Sequence, residues 1–159
     1  MMLPILRLVL IYFLLVAAVV AVILIGLGIH LLLGGEAPPF TMIRTELRLI
    51  PLYLLIVLLP WQGPVGEEFG WRGYAQEPLQ KRMGLIPASL LIGVVWGIWH
   101  LPLWVMPGDG HSTYPYIAFL LMTTSISVLY GWLYKASKQK LIIVMIFHAM
   151  SNTAAPLLP

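Results

Sequence analysis

The chain has 159 residues, of which 60% are hydrophobic and only 9% are charged, and its formal net charge is +3. A typical soluble domain has about a quarter charged residues and just under half apolar ones, so this composition indicates a membrane protein. The nine Lys and Arg residues are spread thinly and form no cationic stripe, which argues against a nucleic-acid binder. Cysteine is absent, which excludes a disulfide framework, a thiol nucleophile and a thiolate metal site.

The first predicted element is a long uncharged run over residues 8–33. It exceeds the roughly 20 apolar residues that a membrane-spanning helix needs. No small-residue cleavage site follows it, so we expect an uncleaved anchor rather than a signal peptide. Gly34, Gly35, Pro38 and Pro39 then form a turn-rich break. We therefore expect an N-terminal anchor and loop over residues 1–40 and a main domain over residues 41–159.

The main domain is predicted to contain one apolar helix, one charged helix and three further spans, over residues 49–61, 67–82, 85–106, 114–134 and 141–158. Gly84 is the stop signal of the charged helix, and Pro102 is expected to bend the span that follows. The loop over 135–140 carries three lysines and the 81–82 segment two cations, whereas the 107–113 loop carries none. By the positive-inside rule the cationic segments face the cytoplasm. The expected fold is an all-α, polytopic transmembrane helical bundle, in the cell membrane and with the lipid bilayer as its solvent.

Three groups of polar residues fall where membrane segments normally exclude them: the segment from Glu67 to Arg72, His100, and His148 with Asn152. Each ionisable group at mid-bilayer costs about 2.5–3.5 kcal/mol on insertion scales. Their sum is on the order of 10 kcal/mol, which is comparable to the whole stability of a domain. These groups must therefore face one another or a wet cavity, and the bundle is expected to hold a buried polar site.

Helical spacing predicts different roles for these polar residues. Glu68 and Arg72 stand at i and i+4 with the acid first, which predicts an ion pair that holds the helix in place. Glu67 lies about 100° further round a regular helix, so it does not share that pairing equally and stays free for chemistry. His148 and Asn152 are also four residues apart and project from one face.

Other residues of the spans are interpreted as structural. Gly93 and Gly97 are small enough to let another helix approach closely. Trp96 is expected to pack in the core or at an interface. His30 is interpreted as a structural hydrogen-bonding residue, and His111 as a solvated loop residue.

A free carboxylate, two imidazoles and a carboxamide in one cavity are able to carry out hydrolysis. Glu67 would take a proton from water with the help of one histidine, and the other histidine and the Asn152 amide would donate to the oxyanion. Two alternatives stay open at this point. Glu67, His100 and His148 are candidate zinc ligands, although the local His-Glu-x-x-His spacing is missing. The same groups also suit the proton relay of a small proton-coupled transporter.

Three short motifs occur in order along the chain. Glu-Glu-x-x-x-Arg occupies residues 67–72, an aromatic residue precedes a histidine by four positions at Trp96 and His100, and His-x-x-x-Asn occupies residues 148–152. With these motifs, residues 50–158 resemble the CPBP family, which includes the type II CAAX prenyl endopeptidases and the bacterial Abi proteins. Trp96 stands where the family usually has Phe.

The resemblance implies an intramembrane endopeptidase whose catalytic residues are Glu67, His100, His148 and Asn152, with Glu68 and Arg72 supporting the site. The substrate would be a peptide or a membrane protein, and an oligomer or a partner subunit is compatible with the chain. The family has been described both as metalloproteases and as glutamate-dependent proteases. We favour the second description, so no cofactor is expected first and zinc is the alternative. A non-catalytic interaction or bacteriocin self-immunity protein is a further alternative, because some bacterial relatives act in that way.

Overall fold

The structure is a computed structural model that describes residues 63–154 continuously, with side chains to residue 152, and residues 27–36. It also describes residue 52 and isolated positions between 10 and 25. The chain forms two compact units, one of residues 1–64 and 146–159 and the other of residues 65–145. The described residues contain helices and turns and no strand, which confirms the all-α prediction.

Within the first unit, every described position from 10 to 32 is helical, and a turn follows at residues 33–34. His30 Nε2 bonds to the Glu36 carbonyl oxygen at 3.2 Å, as expected for a structural hydrogen-bonding residue. The rest of the predicted first span and most of the predicted helix over 49–61 lie outside the described residues. The division of the chain at residue 40 stays a prediction.

The charged helix begins earlier than predicted and is not uniform. It consists of α1 (Gly63–Glu68), a π-helical segment (Phe69–Gln76, here called the π segment) and α2 (Glu77–Met83). The prediction of one regular α-helix is therefore wrong in its middle. The π segment contains two glycines, which weaken the preference for regular α-helix, and π-helical turns are frequent at functional sites.

Gly84 ends α2 as predicted. Its φ is +89°, a conformation that glycine adopts without steric cost. Its backbone N–H donates to the Gln80 carbonyl at 2.9 Å. The helical pair Glu77 and Lys81 forms an exposed 2.6 Å ion pair, so Glu77 is a solvated residue.

The next two helices are long and apolar enough to cross a membrane. The first is the 20-residue span Leu85–Trp104, which consists of α3 (Leu85–Trp99), His100 and a 3₁₀ helix (Leu101–Trp104). The second is α4 (Tyr116–Ala136), with 21 residues. The α-helix ends three residues before Pro102, which lacks an N–H donor, and His100 lies at that end. The last described helix is α5 (Leu141–Ala154), whose apolar part is shorter.

Close contact between α3 and α4 depends on Gly93 and Gly97, as predicted. A Cβ atom at Gly93 would lie 2.6 Å from Thr124 Cα, and one at Gly97 would lie 2.6 Å from Leu120 Cδ1. These contacts run in opposite directions along the two helices, so α3 and α4 are antiparallel. The hydroxyl of Tyr116 also donates to the Gly97 carbonyl at 3.2 Å.

The antiparallel pair places the segment before α3 and the turn after α4 at the same end. Both segments carry the cations that the sequence pattern assigned to one side. Lys138 and Gln139 take left-handed conformations, with φ of 57° and 62°, and close the turn between α4 and α5.

The loop at the opposite end contains a contact between Asp109 and His111. The Asp109 carboxylate accepts from the backbone N–H of His111 at 2.9 Å and pairs with its ring Nδ1 at 2.5 Å. These two contacts from His111, the backbone bond first, lower the pKa of Asp109. The His111 ring also packs on Trp104 at 5.2 Å and Phe119 at 5.8 Å between centroids. The interpretation of His111 as merely solvated is therefore wrong.

We expect Gly93→Ala to destabilise the pair of spans. The new methyl group would meet backbone atoms of α4, with the Thr123 carbonyl oxygen at 2.9 Å, so the helices must separate. Overpacking of this kind costs about 1–3 kcal/mol of unfolding free energy. Thermal unfolding in detergent, followed by circular dichroism, measures it. Gly110→Ala is the control, because its Cβ would meet nothing within 4 Å; an equal melting temperature for both variants would contradict the close packing.

Candidate active site

A buried ion pair lies at the centre of the second unit. Arg72 Nη1 stands 3.2 Å from Glu68 Oε1, and both side chains are 0% exposed. The other terminal nitrogen, Nη2, donates to the hydroxyl of Ser127 at 2.9 Å and to its carbonyl at 3.3 Å. The guanidinium carbon also lies 4.9 Å from the ring centroid of Tyr130 and 5.6 Å from that of Trp96. The pair that the i, i+4 spacing predicts is thus present, and two aromatic faces cover the cation.

The ion pair belongs to a polar network that joins three helices. Ser127 on α4 donates to the Ser89 carbonyl on α3 at 2.8 Å. Gln76 of the π segment donates to the Ser89 hydroxyl at 3.1 Å and is itself fully buried. Sequence reasoning missed Gln76, Ser89 and Ser127. The available signal was the presence of small polar residues on otherwise apolar spans, where they commonly bond between helices.

Glu67 faces a different partner from its neighbour Glu68. The indole N–H of Trp96 donates to Glu67 Oε2 at 2.5 Å. Trp96 is only 5% exposed, whereas Glu67 is half-buried. The interpretation of Trp96 as packing alone is therefore incomplete, because its ring both packs and donates to an acid of the candidate site.

His100 is also tied to Trp96, through the backbone. Its Nδ1 lies 2.9 Å from the Trp96 carbonyl oxygen. A carbonyl only accepts hydrogen bonds, so we assign the proton to Nδ1, and Nε2 of the neutral ring then carries the lone pair. The His100 ring packs in T-shaped contacts against Trp99 and Phe119. The ring centroids are 4.9 Å and 5.2 Å from that of His100.

Two of the predicted catalytic residues therefore share one partner, since Glu67 bonds the side chain of Trp96 and His100 bonds its carbonyl. His148 and Asn152 lie on α5, in the part of that helix that belongs to the other unit. His148 is 2% exposed and Asn152 is exposed. That these two residues join Glu67 and His100 stays a prediction.

The residues that the structure describes contain no group of three or more His, Asp or Glu side chains arranged to hold a metal ion. In addition, one oxygen of Glu67 already accepts from an indole. We derive no chemical step through zinc.

The described residues form a helical protein with two helices apolar enough to cross a membrane, in which a carboxylate and an imidazole bond the same tryptophan. The family model for type II CAAX prenyl endopeptidases of the Rce1-like kind matches residues 49–154, which is more than half of the chain, and the chain belongs to this family.

A curated relative supports the same family. The protein named CAAX prenyl protease 2 from Methanococcus maripaludis is 29% identical over 147 residues, which cover 87% of this chain and 53% of that protein. The chain thus spans about half the length of the curated relative it matches. No solved structure matches the chain at a significant level.

We expect Arg72→Met to damage folding, because it leaves the buried Glu68 carboxylate without its arginine. Breaking a buried ion pair costs about 3–5 kcal/mol of unfolding free energy. The double variant Glu68→Gln with Arg72→Met should recover part of that loss, because no buried charge then remains at the two positions.

Denaturant unfolding in detergent, with the yield of folded protein, measures both effects. Lys81→Met is the matched control, since it breaks an i, i+4 pair whose side chains are 73% and 43% exposed and should cost less than about 1 kcal/mol. An Arg72→Met protein as stable as wild type would show that the pair does not support the fold.

Proposed function

We propose that the chain is an intramembrane endopeptidase that hydrolyses a peptide bond with a water molecule activated by Glu67. The observation that carries this proposal is the unequal treatment of two adjacent acids. Glu68 is paired with a buried arginine, whereas Glu67 accepts from a neutral indole. Both oxygens of Glu67 lie outside the ion pair, and Oε1 also lies outside the indole hydrogen bond, so Glu67 is the acid of the two that is placed to accept a proton from water.

In the proposed reaction, Glu67 takes one proton from water while the water oxygen attacks the carbonyl carbon of the peptide. The lone pair on His100 Nε2 suits it to accept a hydrogen bond from the same water, which favours a role as an assisting base over a role as an oxyanion donor. The C–N bond then breaks, and the proton held by Glu67 passes to the leaving amine. Donation to the oxyanion is assigned to His148 and Asn152, on the basis of their motif and their shared helix face.

We propose that the substrate is a peptide segment that reaches the site from the membrane. The relative's name refers to CAAX prenyl substrates, so a prenylated peptide ending in a CAAX sequence is the first substrate to test. Two apolar helices of 20 and 21 residues support a multi-pass location in the cell membrane. The cation-rich end of α3 and α4 is assigned to the cytoplasm by the positive-inside rule.

We also propose that the reaction needs no resident metal. The support is chemical: Glu67 Oε2 is occupied by an N–H donor, and the chain lacks the His-Glu-x-x-His spacing of zinc peptidases. Undiminished hydrolysis after dialysis against a strong chelator is expected. Loss of activity that returns with added zinc would instead support the zinc alternative.

We expect Glu67→Gln to lower the rate of peptide hydrolysis by about 10²–10⁴-fold, because the amide keeps the size of the side chain and removes the base. The assay uses purified protein in proteoliposomes and the prenylated CAAX peptide, with cleavage followed by mass spectrometry.

Glu77→Gln is the matched control, since it removes an exposed acid from the same run of helix and should leave the rate unchanged. An unchanged rate in Glu67→Gln would show that Glu67 is not the base. Cleavage lost equally in both variants would point to a loss of fold instead.

A further inference from the structure

We propose that Trp96 is a positioning residue, whose indole N–H holds the Glu67 carboxylate so that one particular oxygen faces the reacting water. The inference rests on the proposed function, because Glu67 is the general base there. Trp96 itself does not exchange protons with the substrate; it acts through Glu67.

The indole is a rigid donor. Its ring packs against Tyr130 at 6.0 Å and stands edge-on to His100 at 5.9 Å between centroids. Gly93 and Gly97 on the same helix bring α4 into close contact, so the ring lies in a tightly packed region. A donor that is fixed before the reaction needs no reorganisation during it, which is the condition under which a hydrogen bond contributes most to catalysis.

The hydrogen bond also distinguishes the two oxygens of Glu67. Oε2 accepts from the indole, which leaves Oε1 as the oxygen that receives the proton from water. A carboxylate without this donor rotates about its terminal bond, and its plane is no longer fixed relative to the reacting water. Trp96 therefore selects one orientation of the base.

Trp96 also positions His100, through its backbone carbonyl. Its carbonyl accepts from His100 Nδ1 at 2.9 Å and so sets the direction of Nε2. Phenylalanine at position 96 would keep the carbonyl and most of the ring packing, but it has no N–H to donate. Trp96→Phe consequently separates the restraint on Glu67 from the restraint on His100.

The kinetic test compares Trp96→Phe with Trp132→Phe, which removes an indole from an exposed position on α4. Trp96→Phe should lower kcat by about 10- to 100-fold, as expected for a misplaced base, and leave KM within about twofold. Trp132→Phe should change neither constant. A kcat within twofold of wild type for Trp96→Phe, or a rise in KM alone, would overturn the inference.

A second measurement needs neither activity nor a folded Trp96→Phe variant. The chain has six tryptophans, and their indole ¹H–¹⁵N signals in detergent micelles can be assigned by replacing the other five in turn. The Trp96 signal should lie downfield and move upfield in Glu67→Ala, which leaves no acceptor at that position, with no change in Glu77→Ala.

The two measurements separate the inference from the proposed function. A Trp96 signal that does not move in Glu67→Ala would show that the hydrogen bond is absent and would overturn the inference by itself. A signal that responds, together with wild-type hydrolysis by Glu67→Gln, would confirm the contact and reject Glu67 as the base.

Discussion

The structure depends on the burial of one positive charge. The Arg72 guanidinium is removed from solvent in a region built largely of apolar helices, and such burial is tolerated only with a counter-charge and hydrogen bonds. Glu68 supplies the counter-charge, Ser127 supplies two acceptors, and the rings of Tyr130 and Trp96 cover the cation. These partners come from the charged helix, α3 and α4, so satisfying one charge also joins three helices.

The two adjacent acids have different partners, and the proposed function depends on that difference. Arg72 forms its ion pair with Glu68. The neighbouring Glu67 lies on a different side of the helix and accepts a hydrogen bond from the indole of Trp96. His100 is tied to the carbonyl of the same tryptophan. One residue thus bonds both of the proposed catalytic groups, and it lies on α3, which packs closely on α4.

Local patterns in the sequence were sufficient to predict several of these features. The i, i+4 spacing predicted the pair of Glu68 and Arg72, and the small residues Gly93 and Gly97 predicted the close contact of two spans. Both are properties of one helix face, which spacing reveals directly. The cost of placing ionisable groups in a membrane predicted that such groups would be buried, and Glu68, Arg72 and His148 are buried, whereas Asn152 is exposed.

Other features arise only from contacts between helices, and spacing does not reveal them. Regular α-helical periodicity predicted an α-helix over residues 69–76, whereas the structure has the π segment there. In that segment the fully buried Arg72 and Gln76 bond polar partners on other helices. The bond from Trp96 to Glu67 joins residues 29 positions apart, so an aromatic residue in an apolar span was interpreted as packing.

The most direct test of the account is an experimental map of the chain in a lipid nanodisc, at a resolution that separates the two acids. We expect the Arg72 guanidinium to lie on the Glu68 carboxylate and the Glu67 carboxylate to lie within hydrogen-bonding distance of an indole nitrogen. Density that places the guanidinium on Glu67, or turns Glu67 towards the acyl chains, would contradict it.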